Sequence, residues 1–312
     1  MTYKVLITCP PMLRQIDQFR EKFAELDIDI TTPDVVQTLT VEELKDIVPQ
    51  HDGWIIGDDP ATSEVFEAGK AGQLQVAVKW GIGVDNVDFA ACERLGIPIT
   101  NTPGMFGAEV ADLAMCYILG LARDAFFIDR EVRSGNWPKP AGISLGDKTI
   151  GIVGFGDIGS NIAKRANAHD LNIIGWDPYA DMLPDYIELQ NNWPTGIERC
   201  DFIVFACALT EKTQHLFNQG ILEKLKSGVR VVNVSRGPLI DEIALLDGLT
   251  SGVIASAALD VFEDEPLKQS HPILAHDRCI FGSHNASNTI DAVIRASDEA
   301  VNLLHGMLKK ES

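Results

Sequence analysis

Thr149-Ile150-Gly151-Ile152-Val153 runs directly into Gly154-Phe155-Gly156-Asp157-Ile158-Gly159, and the reading of this stretch decides the fold. The first five residues are short, mostly apolar and rich in β-branched side chains, as a buried parallel strand requires. Behind the glycines, Ile162, Ala163 and Ala166 recur at helical spacing; a second apolar run, Leu171 to Trp176, ends in Asp177. Strand, G-x-G-x-x-G turn, helix, strand and terminal acid, within about thirty residues, are the parts of a dinucleotide-binding unit.

Each part has a physical reason. Gly154 can make the tight turn out of the strand, and Gly156 has no β-carbon to keep a pyrophosphate from the backbone. Gly159 lets the helix lie close to the strand, so the exposed N–H groups of its first turn face the phosphates. Asp177 follows Gly159 by 18 residues, near the spacing expected of the acid that accepts from the adenosine ribose. A carboxylate there repels a 2′-phosphate, which favours NAD over NADP.

Upstream, Val5–Thr8, Ile28–Thr32, Trp54–Gly57, Val76–Val78 and Pro98–Thr100 read as strands. Helical patterns lie between them at Leu13–Leu26, Val41–Ile47, Ser63–Ala71 and Phe89–Leu95. Alternation of this kind predicts a parallel sheet with helices on both faces. Such sheets bind ligands beyond the carboxyl ends of their strands, which singles out the loop Lys79-Trp80-Gly81-Ile82-Gly83-Val84-Asp85-Asn86-Val87-Asp88. Asn101-Thr102-Pro103-Gly104 is a turn suited to a crossing between domains. Two helices, Glu109–Arg123 and Phe126–Arg133, precede the nucleotide unit.

Downstream, Phe202–Cys207, Val229–Val234, Ala257–Val261 and Cys279–Phe281 bring the second sheet to six strands, and Thr289–Leu308 is a long amphipathic helix. The expected fold is α/β: a doubly wound Rossmann domain, residues 103–287, inserted into a substrate domain formed by 1–102 and 288–312.

Composition narrows the partners. A net charge of −19 and an isoelectric point near 4.7 argue against nucleic acid or an anionic membrane surface. The longest apolar run, Leu113 to Ala122, has ten residues and cannot span a bilayer. The chain enters a strand at Lys4 with no signal-peptide core, and none of its six cysteines forms a C-x-x-C. Buried, reduced thiols, a cytoplasmic setting and no metal centre are expected.

Hydride chemistry also needs a proton and a carboxylate anchor, and residues following strands can supply both. Arg236 lies in Asn233-Val234-Ser235-Arg236-Gly237-Pro238, and its planar fork suits a carboxylate. His284, in Gly282-Ser283-His284-Asn285-Ala286-Ser287, can exchange a proton near neutral pH. Asp260 and Glu265 lie in Ala258-Leu259-Asp260-Val261-Phe262-Glu263-Asp264-Glu265-Pro266, and a Glu bonded to the second imidazole nitrogen would fix the tautomer. Taken singly, each also fits a surface arginine, an acidic turn or a structural histidine. His51, His169, His215, His271, His276 and His305 are assigned no role.

Together, the Lys79–Asp88 loop, the glycine fingerprint, Asn233–Asp241, Ala258–Pro266 and Gly282–Ser287 resemble the D-2-hydroxyacid dehydrogenase family along nearly the whole chain. The resemblance implies a flavodoxin-like substrate domain interrupted by the NAD domain, and a homodimer. It implies Arg236 on the substrate carboxylate, His284 as acid and base, and Glu265 as its partner. On the cofactor side it implies Phe155, Gly156, Asp157 and Ile158 at the pyrophosphate, Cys207 and Thr213 at the adenine, Val234, Ser235 and Arg236 at the nicotinamide ribose, and Asp260 and His284 by the nicotinamide. The backbone of Ile82, Gly83 and Val84 would face a small anionic 2-hydroxy or 2-oxo acid.

Within the family, Gly83–Asp88 and Ser283–Ser287 resemble 3-phosphoglycerate dehydrogenases most. Against that, Gly57-Asp58-Asp59-Pro60 stands where such enzymes place an arginine, and two acids would repel a phosphate. Lys79 remains either a binder of a distal anion or a strand-end surface lysine. Glycerate or glyoxylate, and an NAD-sensing corepressor-like role, are the alternatives.

Overall fold

Five runs of the first hundred residues pair, all parallel, in the order β2-β1-β3-β4-β5: β1 Tyr3–Ile7, β2 Ile28–Thr31, β3 Gly53–Ile56, β4 Val76–Lys79 and β5 Ile99–Asn101. The central strands β3 and β4 are buried at every position, because helices cover both faces of the sheet. Trp54, Ile56, Phe66 and Leu44 fill one side of this core, with the Trp54 and Phe66 rings 5.9 Å apart. On the other side lies the helix Ile290–Glu311, whose Leu304 side chain packs against Gly53 and whose Ser297 hydroxyl accepts from Trp80 Nε1 at 3.1 Å. The computed structural model describes residues 2–180 and 182–311, and the chain divides into two units, Met1–Phe106 with Asn288–Ser312, and Gly107–Ser287.

One helical expectation fails in the first unit. Leu13–Leu26 is not continuous: a four-residue helix Pro10–Leu13 gives way to a 3-10 turn at Ile16–Gln18 and then to a helix at Arg20–Glu25. Leu13, Ile16 and Phe19 repeat every three residues, which suits i→i+3 bonding, and the Gln18 and Phe19 N–H groups donate to Gln15 and Ile16 in that way.

Among its described residues the second unit holds seven parallel strands rather than six: β6 Thr149–Val153, β7 Asn172–Trp176, β8 Ile187–Gln190, β9 Phe202–Phe205, β10 Val229–Asn233, β11 Ile254–Leu259 and β12 Ile280–Phe281. Their order is β12-β11-β10-β9-β6-β7-β8. The strand missing from the sequence reading is β8. It lies at the sheet edge and pairs only with β7; Glu188 is exposed, its carboxylate clamped by Arg199 at 2.6 and 3.0 Å. Strand order reverses between β6 and β9, the switch point at which such sheets bind nucleotides. Phe205, Phe217, Val231 and Leu239 lead the core here, and burial of each is worth about 1.5–3 kcal/mol.

All six cysteines are free, but Cys116 is exposed, against the expectation that the thiols are buried. Among the described residues no cluster of His, Cys, Asp and Glu could hold a metal, and no helix is long and apolar enough to cross a membrane.

Candidate active site

The glycine turn sits at the carboxyl end of β6. Gly154 has φ +95°, and a β-carbon there would lie 2.7 Å from the Cys207 backbone beyond β9. Gly159 packs its helix, Asp157–Asn167, directly onto the Gly154 carbonyl, whereas a β-carbon on Gly156 would meet open space. The turn is therefore closed beneath and open above, as a cradle for a pyrophosphate must be. Asp177 braces it: Oδ2 accepts the Phe155 N–H at 2.7 Å and Oδ1 accepts the Tyr179 N–H at 2.8 Å. A carboxylate has about four lone-pair sites, so both oxygens retain capacity for ribose hydroxyls. These residues fit NAD.

Beyond β9 and β10, the remaining cofactor-side candidates converge. The Ser235 hydroxyl donates to the Cys207 carbonyl, and Val234 is buried beside them. Thr213 folds the 208–213 loop back by donating to the Ala208 carbonyl at 2.8 Å. Burial pushes the Cys207 thiol up to about 11, so it is a neutral wall. Asn233, which the sequence reading passed over, shapes the Arg236 turn: its Oδ1 accepts from Ser235 N at 3.1 Å and its Nδ2 donates to the Arg236 carbonyl at 2.9 Å. An Asn that ends an apolar strand before Val-Ser-Arg-Gly-Pro is a legible turn signal.

Glu265 and His284 meet. His284 Nδ1 lies 2.8 Å from Glu265 Oε2, and Glu265 Oε1 accepts the Phe262 N–H at 3.0 Å. His284 has φ +55°, a left-handed conformation that costs a non-glycine residue energy and needs support. Asp260 provides it. Its carbonyl accepts the His284 N–H at 2.6 Å, and its buried carboxylate accepts from Asn285 N at 3.2 Å and Ala286 N at 2.8 Å. Tyr117 adds a hydroxyl at 3.3 Å, and its phenol is pushed up by burial and by the Asp260 charge. Asp260, which the resemblance put by the nicotinamide, thus holds the histidine loop together. Tyr117 carried no sequence signal beyond an apolar helix.

In the first unit, Lys79 is no surface residue: it is 2% exposed, its Nζ 2.9 Å from the Trp80 carbonyl and 3.2 Å from Asp58 Oδ1. The two acids of Gly57–Pro60 part company. Asp59 turns into the core, accepting from the Thr8 hydroxyl, Leu39 N and Gly57 N, and burial raises its carboxyl above the ordinary range. Asp58 stays half exposed. Asn86 ties the two loops together through the Gly57 and Asp59 carbonyls, and Ile82 and Val84 stand exposed on the loop beyond β4.

Known proteins resemble this chain. The model of the D-isomer specific 2-hydroxyacid dehydrogenase NAD-binding domain matches residues 115–286. The chain belongs to this family. The dehydrogenase is 36% identical over 271 residues to a hydroxypyruvate reductase of Thermotoga maritima, covering 84% of this chain and 87% of that one. It is 35% identical over 297 residues to a D-3-phosphoglycerate dehydrogenase of Methanocaldococcus jannaschii, with 93% of this chain and 54% of the relative covered, so it spans about half that protein's length. Among solved structures, a glyoxylate reductase from Paecilomyes thermophila superposes with a TM-score of 0.84 at 26% identity, covering 100% and 97% of the two chains. The D-2-hydroxyacid dehydrogenase described here is thus an NAD-dependent oxidoreductase of 2-hydroxy and 2-oxo acids.

Proposed function

We propose that this dehydrogenase interconverts a short, unphosphorylated 2-hydroxy acid and its 2-oxo acid, of the glyoxylate or hydroxypyruvate kind, rather than 3-phosphoglycerate. The observation that carries this reading is the Asp58–Lys79 pair. Lys79 is the cation closest to the substrate-side loop in sequence, yet its charge is already matched by Asp58 and its ammonium is buried. A phosphate brought within about 5 Å of the Asp58 carboxylate would meet roughly 3 kcal/mol of repulsion per charge at an effective dielectric near 20.

In this reading Arg236 holds the substrate carboxylate through paired charge-assisted bonds. His284 uses Nε2 to give a proton to the C2 oxygen on reduction and to take it back on oxidation, while Glu265 fixes the ring. Gly154 to Gly159, Asp177, Cys207, Thr213, Val234 to Arg236 and Asp260 hold NAD, which when bound supplies the hydride donor or acceptor. Ile82, Gly83 and Val84 of the first unit present backbone to the substrate. The test is NADH oxidation against glyoxylate, hydroxypyruvate, pyruvate and phosphohydroxypyruvate, with NADPH in parallel. Preference for an unphosphorylated acid supports the reading; a tenfold preference for phosphohydroxypyruvate defeats it.

We further infer a cytoplasmic homodimer. Six free cysteines suit a reducing compartment. The helix Gly107–Arg123 buries most of its apolar residues within its own unit, but Cys116, Phe126 and Leu274 line an apolar groove suited to a second copy. Light scattering of the wild type against Phe126→Asp tests it: a dimer converted to a monomer is expected, and a monomeric wild type refutes it.

A further inference from the structure

Two histidines without a sequence-assigned role, His215 and His271, belong to a hydrogen-bonded cluster beside the proposed proton-transfer pair. At its centre Glu242 and Glu263 clasp one another. Glu242 Oε1 accepts the Glu263 N–H at 3.0 Å, and Glu263 Oε1 faces the Glu242 N–H at 3.5 Å. Each carboxylate also takes an imidazole: His271 Nε2 lies 3.0 Å from Glu242 Oε2, and His215 Nε2 lies 2.9 Å from Glu263 Oε1. His271 Nδ1 accepts the Ile273 N–H at 3.3 Å, so its proton is on Nε2, directed at Glu242.

The clasp joins two segments that matter to the chemistry. Glu242 opens the helix Glu242–Ser251, six residues past Arg236, and Asp241 caps that helix through Ile243 N and Ala244 N. Glu263 lies in the turn whose Phe262 N–H holds Glu265 Oε1. Between them Gly237 presses so closely on the Phe262–Glu263 peptide that a β-carbon could not be placed there. The His215 N–H, on a residue with φ +49°, donates to the Pro238 carbonyl at 2.8 Å and ties the cluster to the same turn. Glu242 is 14% exposed and His271 22%, so this pair is partly shielded from water and from salt, while Glu263 at 34% and His215 at 43% form the open side of the cluster.

We propose that Glu242 is a positioning residue: through the Glu263 N–H it fixes the 262–265 turn, and with it the Glu265 carboxylate that orients His284. This rests on the assignment of Glu265 and His284 as the proton-transfer pair. Without the clasp the turn keeps its fold but Glu265 wanders, and the loss falls on turnover rather than on cofactor binding. Orientation errors of about 1 Å cost up to a hundredfold in rate.

The test uses the full chain, with hydroxypyruvate or glyoxylate, whichever is turned over faster, and NADH. Glu242→Ala is expected to lower kcat at least tenfold while KM for the oxo acid and the Kd for NADH, read by fluorescence, change less than threefold. Glu242→Gln, which can still accept the Glu263 N–H, is expected to recover most of the loss; if the alanine variant does not fold, Glu242→Leu, which fills the space without an acceptor, takes its place. In a Glu265→Ala background, Glu242→Ala is expected to add less than twofold. Unchanged kcat in Glu242→Ala, or in Glu242→Leu where the alanine variant does not fold, or a full tenfold loss added on top of Glu265→Ala, overturns the proposal. Near-normal turnover in Glu265→Ala alone would instead remove the reading on which it rests.

Discussion

His284 Nδ1 and Glu265 Oε2 stand 2.8 Å apart, and a carboxylate can only accept, so the imidazole proton of that bond belongs to Nδ1. In the proposed mechanism Nε2 is the nitrogen that exchanges a proton with substrate. The carboxylate is fixed by the Phe262 N–H and the histidine backbone by Asp260, so neither partner of the bond relies on a flexible side chain alone.

His284→Ala removes that exchange. Positioned proton transfer is worth about 10²- to 10⁴-fold, and kcat for oxo-acid reduction is expected to fall by that factor. Asp260 still accepts from Asn285 N and Ala286 N in the variant, so the loop persists and NADH affinity changes little. Steady-state kinetics beside NADH fluorescence titration checks this. Near-normal turnover would take the acid–base role away from His284.

Asp177 braces the Phe155 N–H and, in the proposed cofactor site, also binds the ribose. Asp177→Ala is expected to weaken NADH binding roughly tenfold or more, since hydrogen bonds to a charged group are worth about 1.5–3 kcal/mol. NADPH, which the carboxylate repels, should lose much less, so the ratio of the two dissociation constants narrows. Equal losses for both cofactors would mean that Asp177 only braces the turn.

Much of this architecture is legible in the sequence because its signals are local. Strands β6 and β7, the glycine turn and Asp177 lie within one short stretch; the helices Val41–Ile47, Ser63–Ala71 and Phe89–Leu95 carry their own periodicity, and the first and last are capped by Thr40 and Asp88. What stayed hidden depends on partners distant in the chain. β8 gains strand form only by pairing with β7, and its exposed Glu188 lacks the apolar run that marks a buried strand. The internal direction of Asp59 is set by Thr8, 51 residues away, and the histidines of the Glu242–Glu263 clasp are polar residues in polar loops until the fold brings them together. Sequence spacing placed Glu265 and His284 at loop positions; their contact spans 19 residues and two strand ends.

The thiols test the dimer. Burial pushes Cys9, Cys92 and Cys200 to about 12 and Cys207 and Cys279 to about 11, so at pH 8 about one part in a thousand or less of each is the reactive thiolate. Cys116 is the exposed one, and it lines the apolar groove. In the proposed dimer no thiol should react rapidly with a disulfide reagent, whereas Phe126→Asp should release one fast thiol per chain, lost again in Phe126→Asp,Cys116→Ser. Urea should expose six. A fast thiol in a wild-type sample that light scattering shows to be dimeric would place the interface elsewhere.

The proposed substrate choice can be tested at Asp58. Lys79 is buried with two partners, the Trp80 carbonyl and the Asp58 carboxylate, and Asp58 alone of the pair reaches solvent. Asp58→Asn keeps the shape, removes the negative charge and leaves Lys79 with an uncompensated ammonium, an attraction for a distal anion. The expected outcome is a tenfold or larger rise in kcat/KM for phosphohydroxypyruvate relative to hydroxypyruvate, close to the roughly 1.4 kcal/mol that one order of magnitude represents. Lys79→Met in the same background should abolish the gain, because the attraction comes from the ammonium. If Asp58→Asn leaves the ratio unchanged while the protein still binds NADH, the pair lies away from the distal group, and the preference of the wild type must come from other residues of the substrate-side loops.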